Sequence, residues 1–307
     1  MISVANIVKS FGNTNAVNNI SFDSIEGEIF GIVGPDGAGK STLLRMLSAI
    51  LLPDSGKIEK DGADIFKNSS AIKEKIAYMP QRFGLYEDLT VEENIYFFGN
   101  LFNVPKKEIK HRLKRLYEFS RLGPFSTRKA GALSGGMKQK LGLACALVHS
   151  PELILLDEPT NGVDPVSRRE FWKILYDLLG ESVTIIVTTA YLDEAERCSR
   201  IALMHNGKFI RTGNPAEIRK SIKKKMLNFS VDDPIRAGDI LKKHESLSSM
   251  IRTGNSLKFF TDNTSKTGSM IKNILGKNKI RIHSMKIEPP SLEDSFLEIV
   301  NTENTIV

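Results

Sequence analysis

The octapeptide Gly34-Pro35-Asp36-Gly37-Ala38-Gly39-Lys40-Ser41 matches the pattern G-x-x-x-x-G-K-[ST]. The apolar run before it, Ile29 to Val33, predicts a strand, and the segment after it predicts a helix from about Ser41 to Leu51. In this setting the glycines allow backbone N–H groups to converge on phosphate oxygens, Lys40 neutralises the charge of the β- and γ-phosphates, and the Ser41 hydroxyl ligates Mg²⁺. The stretch therefore predicts a phosphate-binding loop within an α/β fold.

A carboxylate for the metal side of such a site follows a second apolar strand. The run Leu153 to Leu156 is apolar throughout, as in a parallel sheet buried on both faces, and Asp157 and Glu158 come directly after it. At the strand end Asp157 would hold Mg²⁺ through its water shell, and Glu158 would orient or deprotonate the attacking water. Taken alone, Asp157 fits a residue that caps a turn. Together with the phosphate loop, the metal role is favoured.

A second anion site is predicted upstream of that strand. Ser134, Gly135 and Gly136 open a predicted helix that runs to about His149. A serine and two glycines at a helix N-terminus present free N–H groups and the positive end of the helix dipole to an anion. One chain would thus carry two phosphate-binding ends.

These three motifs, in this order, resemble those of the ABC transporter ATPases over roughly Val4 to Gly213. The exporter ATPases of the antibiotic, drug and polysaccharide efflux branch are similar in four further segments: Gly84 to Thr90, Gly136 to Gln139, Gly162 to Pro165 and Tyr191 to Glu196. The resemblance implies a P-loop NTPase fold of the ABC ATPase type, with a mixed sheet and a helical subdomain at about residues 82–133. It also implies an ATPase that uses ATP and Mg²⁺ and powers an exporter through separate integral-membrane permease subunits.

The same resemblance implies roles for single residues in ATP binding and hydrolysis. ATP would contact Phe11, Gly34, Pro35, Asp36, Gly37, Ala38, Gly39, Lys40, Ser41 and Thr42. Phe11 matches an aromatic residue that stacks on adenine, with packing in the core as the alternative. Gln81 matches a glutamine that reaches Mg²⁺ and the attacking water. Glu158 and Gln81 are then the catalytic residues, and Ser41, Gln81 and Asp157 are the metal ligands.

A second ATPase subunit, either another copy or a related chain, is implied in the same way. In this family ATP is sandwiched between the phosphate loop of one subunit and, from the other, the helix that here begins at Ser134, which we call the signature helix. Ser134, Gly135 and Gly136 would therefore complete the ATP site of the opposite subunit, and Asp164 would lie across the dimer interface.

Among the departures from the family pattern, one matters most for mechanism. In this family the position holds a histidine, called the switch histidine, that contacts the γ-phosphate and helps to arrange the attacking water. This chain has Ala190 there, whose side chain offers no hydrogen bond. Either Glu158, Gln81 and Thr189 suffice for hydrolysis, or the chain is a nucleotide-gated module with weak hydrolysis. We expect hydrolysis through Glu158 without a switch histidine.

Two other kinds of ABC protein remain as alternatives. A soluble ABC ATPase of translation or DNA repair would carry two ATPase units or a long coiled coil, whereas this chain shows one unit and no sustained heptads between Lys40 and Ser134. An importer ATPase is disfavoured by the exporter-like segments.

Composition limits the remaining classes of partner and location. The chain has 307 residues, a formal net charge of +7 and no apolar run long enough for a membrane span. Residues 1–20 lack the basic start and apolar block of a secretory signal. We expect a cytoplasmic protein that is peripheral on the inner face of the cell membrane. Because a mild basic excess is usually a solvated face, no nucleic-acid partner is expected.

Three segments make up the predicted organisation of the chain. Residues 1–213 form the ATPase domain, residues 214–225 a basic linker, and residues 226–307 a C-terminal accessory domain. The elements expected after residue 226 follow a βαββαβ order, the ferredoxin-like arrangement of a small α+β domain. The segment Pro290 to Leu297 resembles the accessory domain that follows many exporter ATPases of this branch.

Overall fold

The computed structural model describes residues 1–67, 72–222, 224–244, 247 and 250–304. Residues 68–71 of the predicted ATPase domain, Lys223 of the predicted linker, and residues 245, 246, 248, 249 and 305–307 of the predicted C-terminal domain lie outside the described residues. The chain forms two compact units, Met1–Asn214 and Pro215–Val307.

The first unit alternates strands and helices. Its strands are β1 (Ile2–Phe11), β2 (Thr14–Asp23), β3 (Ile29–Val33), β4 (Ser55–Lys60), β5 (Ala63–Asp64), β6 (Ile76–Met79), β7 (Leu153–Asp157), β8 (Thr184–Thr189), β9 (Arg200–His205) and β10 (Lys208–Gly213). Its helices are α1 (Lys40–Leu47), α2 (Val91–Leu101), α3 (Lys106–Ser120), α4 (Gly135–Leu147), α5 (Pro165–Leu179) and α6 (Leu192–Ala195), with 3₁₀ turns at Gly123–Phe125 and Ala130–Ala132.

A six-stranded sheet in the order β10-β9-β3-β8-β7-β6 forms the centre of this unit. Neighbouring strands are parallel except for β9 and β10, which form a hairpin. Strands β3, β7 and β8 are buried along their whole length, as expected for apolar strands of a sheet that is covered on both faces. The predicted α/β fold with a mixed sheet is therefore confirmed, and the phosphate loop lies between β3 and α1.

A separate antiparallel sheet has the order β2-β1-β4-β5. It shares an apolar core with α1 and β3, to which Ile7, Ile58 and Leu44 contribute buried side chains. Strand β4 is not predicted by the sequence pattern, because Ile58 is the one apolar residue in its run S-G-K-I-E-K. Pairing with β1 holds this segment extended where its own residues do not specify a strand.

Helix α2 is another element that the sequence pattern leaves open. A capping box fixes its start: the Glu93 N–H donates to Thr90 Oγ1 at 3.2 Å, and the Thr90 N–H donates to Glu93 Oε2 at 2.8 Å. With α3 and α4 this helix buries a second apolar core that includes Ile95, Ile109 and Leu141. This core belongs to the helical subdomain that separates β6 from β7.

Helix α1 ends at Leu47 instead of about Leu51, because Ala49 has a φ of +54°, outside the right-handed helical region. None of the helices in the described part of the chain combines the length and the apolar character needed to cross a bilayer.

The second unit is a small α+β domain. It contains α7 (Pro215–Ser221), β11 (Lys225–Val231), α8 (Pro234–Lys242), β12 (Ile251–Thr253), β13 (Ser256–Thr261), α9 (Thr264–Lys277), β14 (Ile282–Glu288) and α10 (Leu292–Asn304). Its antiparallel sheet has the order β12-β13-β11-β14, and α8 and α9 bury Phe229, Leu241 and Ile271 against it. The predicted βαββαβ element order is confirmed.

The segment expected as a basic linker contains a helix. Within residues 214–225, α7 is followed by the first residue of β11. Pro215 and Ile218 are buried, and Arg219 and Lys220 occupy the last turn of α7, where cations favour the negative end of the helix dipole. These basic charges therefore belong to a helix rather than to a connecting loop.

Candidate functional site

A cavity of about 580 Å³ opens where the phosphate loop meets the end of β7. Its lining brings together residues from five parts of the first unit: Thr14, Asn15, Ala16, Asp36, Gly37, Gly39, Lys40, Ser41, Thr42, Gln81, Glu158, Asn206 and Gly207. The N-terminus of α1 points its first N–H groups and its positive dipole end toward this space, which suits an anion.

Backbone crowding explains the glycines of the loop. Gly39 has a φ of +105°, and a Cβ there would lie 2.0 Å from the Ala16 carbonyl oxygen. A Cβ on Gly34 would lie 2.2 Å from the Met204 carbonyl oxygen. The loop is thus wound directly against β2 and β9, and Gly37, with a φ of +79°, faces open space.

Lys40 is buried, and its amino group is held by several acceptors. Its Nζ donates to the Gly34 carbonyl at 2.8 Å and to the Pro35 carbonyl at 3.0 Å, and it lies 3.0 Å from Glu158 Oε1. The cation therefore sits within the curl of the loop, facing the predicted base. A phosphate that binds Lys40 has to replace this ion pair.

Asp157 is the centre of the metal side. Its Oδ1 accepts from the Ser41 hydroxyl at 2.9 Å and from the Thr188 hydroxyl at 2.8 Å, and the Tyr78 hydroxyl lies 3.5 Å from Oδ2. Burial and the Asp157 charge raise the pKa of Tyr78, so the phenol stays protonated and donates. Mg²⁺ prefers oxygen ligands in proteins, and the Ser41 hydroxyl and the Asp157 carboxylate that could serve as such ligands are adjacent.

Glu158 is held from its backbone and from both carboxylate oxygens. Its φ is +47°, rare for a residue with a side chain, and its N–H donates to the Thr188 carbonyl and hydroxyl at 3.2 and 3.0 Å. Oε1 faces Lys40, while Oε2 accepts from Gln81 Nε2 at 3.1 Å and from Asn161 Nδ2 at 3.2 Å. The carboxylate is therefore oriented at the rim of the cavity, where it can accept a proton from water.

The signature residues lie elsewhere on the same unit. Ser134 caps α4 by accepting from the Met137 N–H at 3.3 Å, and Ser134 and Gly135 are exposed and outside the lining of the cavity. Gly136 is buried against Ser167, where a Cβ would lie 2.5 Å from the serine side chain. One chain thus presents its second anion-binding end away from its own phosphate loop.

Asp164 is exposed at the start of α5. Its Oδ1 accepts from the Val166 and Ser167 N–H groups, both at 3.0 Å. These hydrogen bonds, led by the one from Ser167, hold the pKa of Asp164 below its ordinary value. The residue is therefore an ionised helix cap at the surface.

Phe11 is 53% exposed, so it does not pack in the core. It pairs across the β1–β2 hairpin with Thr14, which lines the cavity, while Phe11 itself is outside the lining. The amino group of Lys9 lies 5.7 Å from its ring centroid. An exposed ring beside the cavity is available for stacking.

Ala190 is exposed just beyond the end of β8. The neighbouring Thr189 is buried and does not line the cavity; its hydroxyl donates to Glu194 Oε2 at 2.8 Å and accepts from the Tyr191 N–H at 3.0 Å. The expectation that Thr189 assists Glu158 is therefore not supported by its position.

Sequence reasoning missed several residues of the site. Thr188 joins it because β7 and β8 are parallel and their register places Asp157 beside Thr188. Asn206 and Gly207 join it because the Gly207 N–H donates to the Ala38 carbonyl at 3.0 Å. A hydroxyl at the end of an apolar strand was a usable signal for Thr188, whereas nothing local in the sequence indicates the approach of the Asn206-Gly207 turn.

Two family models match the chain. The one described as "ABC transporter" matches residues 17–161, and the one described as "ATP-binding protein DrrA1-3-like, C-terminal domain" matches residues 213–300. The first match includes the phosphate loop, the signature helix and Glu158.

Curated relatives carry the similarity across the whole chain. The Nod factor export ATP-binding protein I of a Rhizobium species is 36% identical over 304 residues, which are 98% of this chain and 97% of that protein. The probable multidrug ABC transporter ATP-binding protein YbhF of Escherichia coli is 52% identical over 196 residues, which are 64% of this chain and 34% of that relative. The chain thus matches about a third of YbhF and nearly all of the Nod factor export protein.

Solved structures are similar to most of the chain. The dimeric, post-hydrolysis structure of the ATP-binding cassette MJ0796 with ADP and Pi has a TM-score of 0.63 at 27% identity, covering 70% of this chain and 98% of that chain. The structure of cbiO1 from Clostridium perfringens, part of the ABC transporter complex cbiONQ, has a TM-score of 0.65 at 29% identity, covering 71% and 93%.

Proposed function

The chain belongs to the ABC transporter ATP-binding proteins, and from that premise we propose that it is the ATP-hydrolysing subunit of an exporter, working through separate membrane subunits. The single observation that carries this proposal is the meeting of Lys40, Ser41 and Glu158 around one cavity, with Asp157 accepting from the Ser41 hydroxyl beside it. The names of the two relatives, multidrug transport and Nod factor export, support export as the direction.

The phosphates of ATP would bind in the curl of residues 34–42. Backbone N–H groups at the start of α1 would donate to phosphate oxygens. The Lys40 amino group would leave its ion pair with Glu158 and pair with the phosphate instead. Phe11 would stack on adenine from the rim of the cavity. Ser41, Asp157 and Gln81 would hold Mg²⁺, which when bound supplies positive charge to the phosphates.

Hydrolysis would use Glu158 as the base that orients and deprotonates the attacking water. Once Lys40 turns to phosphate, Oε1 of Glu158 is free to accept from water, while Gln81 and Asn161 still hold Oε2. No step in this scheme needs a side chain at Ala190.

Two ATPase subunits would form the working unit. Because Ser134 and Gly135 are exposed and lie outside their own chain's cavity, they are available to the phosphates of a second subunit. Asp164, exposed at the start of α5, would lie at the same interface. The assembly would sit on the inner face of the cell membrane, held there by its permease subunits.

The test measures ATP hydrolysis by the full chain co-purified with its membrane subunits. Glu158→Gln is expected to lower kcat by about a hundredfold or more, the usual loss when a general base is removed. Glu152→Gln is the matched control, because Glu152 precedes β7 as Glu158 follows it, and it also pairs with a buried lysine, Lys60, at 2.7 Å. Undiminished turnover in Glu158→Gln would overturn the proposed function, as would the failure of any integral-membrane protein to co-purify.

A further inference from the structure

Tyr191 follows Ala190 directly and is fixed in place despite its exposure. Its side chain is 40% exposed, and its ring lies over the Arg168 guanidinium, with the guanidinium carbon 4.5 Å from the ring centroid. Arg168 is itself anchored by Glu194, a fully buried carboxylate, with a closest N···O distance of 2.9 Å. A stacked guanidinium that is tied to a buried charge restricts where the phenol can point.

Glu194 joins the two segments that leave β7 and β8. One of its oxygens accepts from the Thr160 hydroxyl and the other from the Thr189 hydroxyl. Thr160 belongs to the segment that follows Glu158, and Thr189 ends β8. The position of Tyr191 relative to Glu158 is therefore set by buried hydrogen bonds.

The Tyr191 hydroxyl reaches Glu158 through one side chain. It donates to Asn161 Oδ1 at 3.4 Å, and Asn161 Nδ2 donates to Glu158 Oε2 at 3.2 Å. A carboxamide has an accepting end and a donating end, so a hydroxyl on its oxygen keeps its nitrogen toward the carboxylate. Without that hydroxyl, the oxygen end of the exposed Asn161 amide loses this partner, and the side chain is freer to rotate away from Glu158.

We propose that Tyr191 is a positioning residue for ATP hydrolysis: its hydroxyl holds the Asn161 amide in the orientation that fixes the Glu158 carboxylate. This inference rests on the proposed function, because it assigns Glu158 the role of base. It places the orienting group next to Ala190, whose own side chain has no polar atom. Tyr191 does not line the cavity, so it acts through Asn161 and not on ATP.

The experiment compares steady-state hydrolysis by the full chain with its membrane subunits in wild type, Tyr191→Phe and Tyr176→Phe. Tyr191→Phe removes the hydroxyl and keeps the ring over Arg168. Tyr176 is the matched control: it is 42% exposed, and its hydroxyl donates to the Arg197 carbonyl at 3.0 Å, outside the cavity. Tyr191→Phe is expected to lower kcat about five- to tenfold, the effect of one hydrogen bond, with the KM for ATP within about twofold of wild type. Tyr176→Phe is expected to change neither.

A double variant separates positioning through Asn161 from any independent effect. Adding Tyr191→Phe to Asn161→Ala is expected to cause no further loss of kcat, because the hydroxyl then has no amide to orient. Losses that multiply would overturn the inference, as would an unchanged kcat in Tyr191→Phe or a change confined to KM. If Glu158→Gln also leaves turnover undiminished, the proposed function fails; if Glu158→Gln abolishes turnover and Tyr191→Phe is silent, the inference alone fails.

Discussion

Glu158→Gln is expected to strengthen the binding of a non-hydrolysable ATP analogue while it abolishes turnover. The Lys40 amino group lies 3.0 Å from Glu158 Oε1, and the two side chains are only 4% and 11% exposed. A γ-phosphate that takes up Lys40 has to displace this carboxylate. The proposed base would thus compete with the substrate phosphate for the same cation.

The size of the effect follows from what glutamine keeps. Its amide oxygen still accepts a hydrogen bond from Lys40, but the charge is gone. Lys40 stays charged, so its hydrogen bond to the amide remains charge-assisted, and what is lost is the attraction between the two opposite charges. Hydrogen bonds to charged groups contribute about 1.5–3 kcal/mol, and we take the loss of one of the two charges as about 1 kcal/mol of that range. That difference corresponds to an analogue Kd about fivefold lower. Loss of repulsion between the carboxylate and the phosphates acts in the same direction.

Isothermal titration of the full chain with Mg²⁺ and the analogue measures this change. Because the analogue is not hydrolysed, trapping by lost turnover does not contribute. Glu152→Gln removes the same charge from an ion pair with the equally buried Lys60, outside the cavity, and is expected to leave the Kd unchanged. An unchanged or higher Kd in Glu158→Gln would refute the idea that Lys40 is shared between carboxylate and phosphate.

Three further predictions concern the phosphate loop, the half-buried His149 and position 190. Gly37→Ala is expected to lower the free energy of unfolding by about 1–2 kcal/mol, because a side chain is strained in this left-handed backbone. Gly39→Ala should lower it by about 3 kcal/mol or more, because the added Cβ also meets the Ala16 carbonyl. Equal losses for the two variants in urea denaturation would contradict this. Burial lowers the pKa of His149 from 6.5 to about 4, so the unfolded chain binds the proton first. The contribution of His149 to the free energy of unfolding should stay constant above about pH 6.5 and fall by up to about 3 kcal/mol as the pH is lowered toward 4. Denaturation curves of His149→Phe should lack this pH dependence. Ala190→His is expected to leave kcat within about threefold, and a gain beyond about tenfold would show that the native site lacks a catalytic group.

The sequence predicts the parts of the site that are local. The phosphate loop between β3 and α1 is one continuous stretch, and its glycines, lysine and serine each have a stated chemical reason. Asp157 and Glu158 follow directly after an apolar strand, and they become informative together with that loop, because Asp157 alone fits a residue that caps a turn. In each case the informative residues are neighbours in the chain.

What the sequence does not predict depends on pairing between distant segments. Strand β4 has a polar run and becomes a strand because β1 lies beside it. Thr188 bonds to Asp157 through the register of β7 and β8, and no periodicity specifies a register between strands so far apart. The Asn206-Gly207 turn is predictable as a turn, but its contact with the loop at Ala38 is not.

The ion pair and the hydrogen bond at the cavity bear on the order in which ATP binding and hydrolysis would follow one another under the proposed function. Lys40 is paired with Glu158, and Ser41 with Asp157, so each group expected to meet ATP or Mg²⁺ already has a partner. Such pairing offsets the cost of burying Lys40 and Asp157. Under the proposed function, phosphate would draw Lys40 away from Oε1 of Glu158 and leave that oxygen free for water. The proposed base would then act only when its substrate is in place, and this order needs no histidine at position 190.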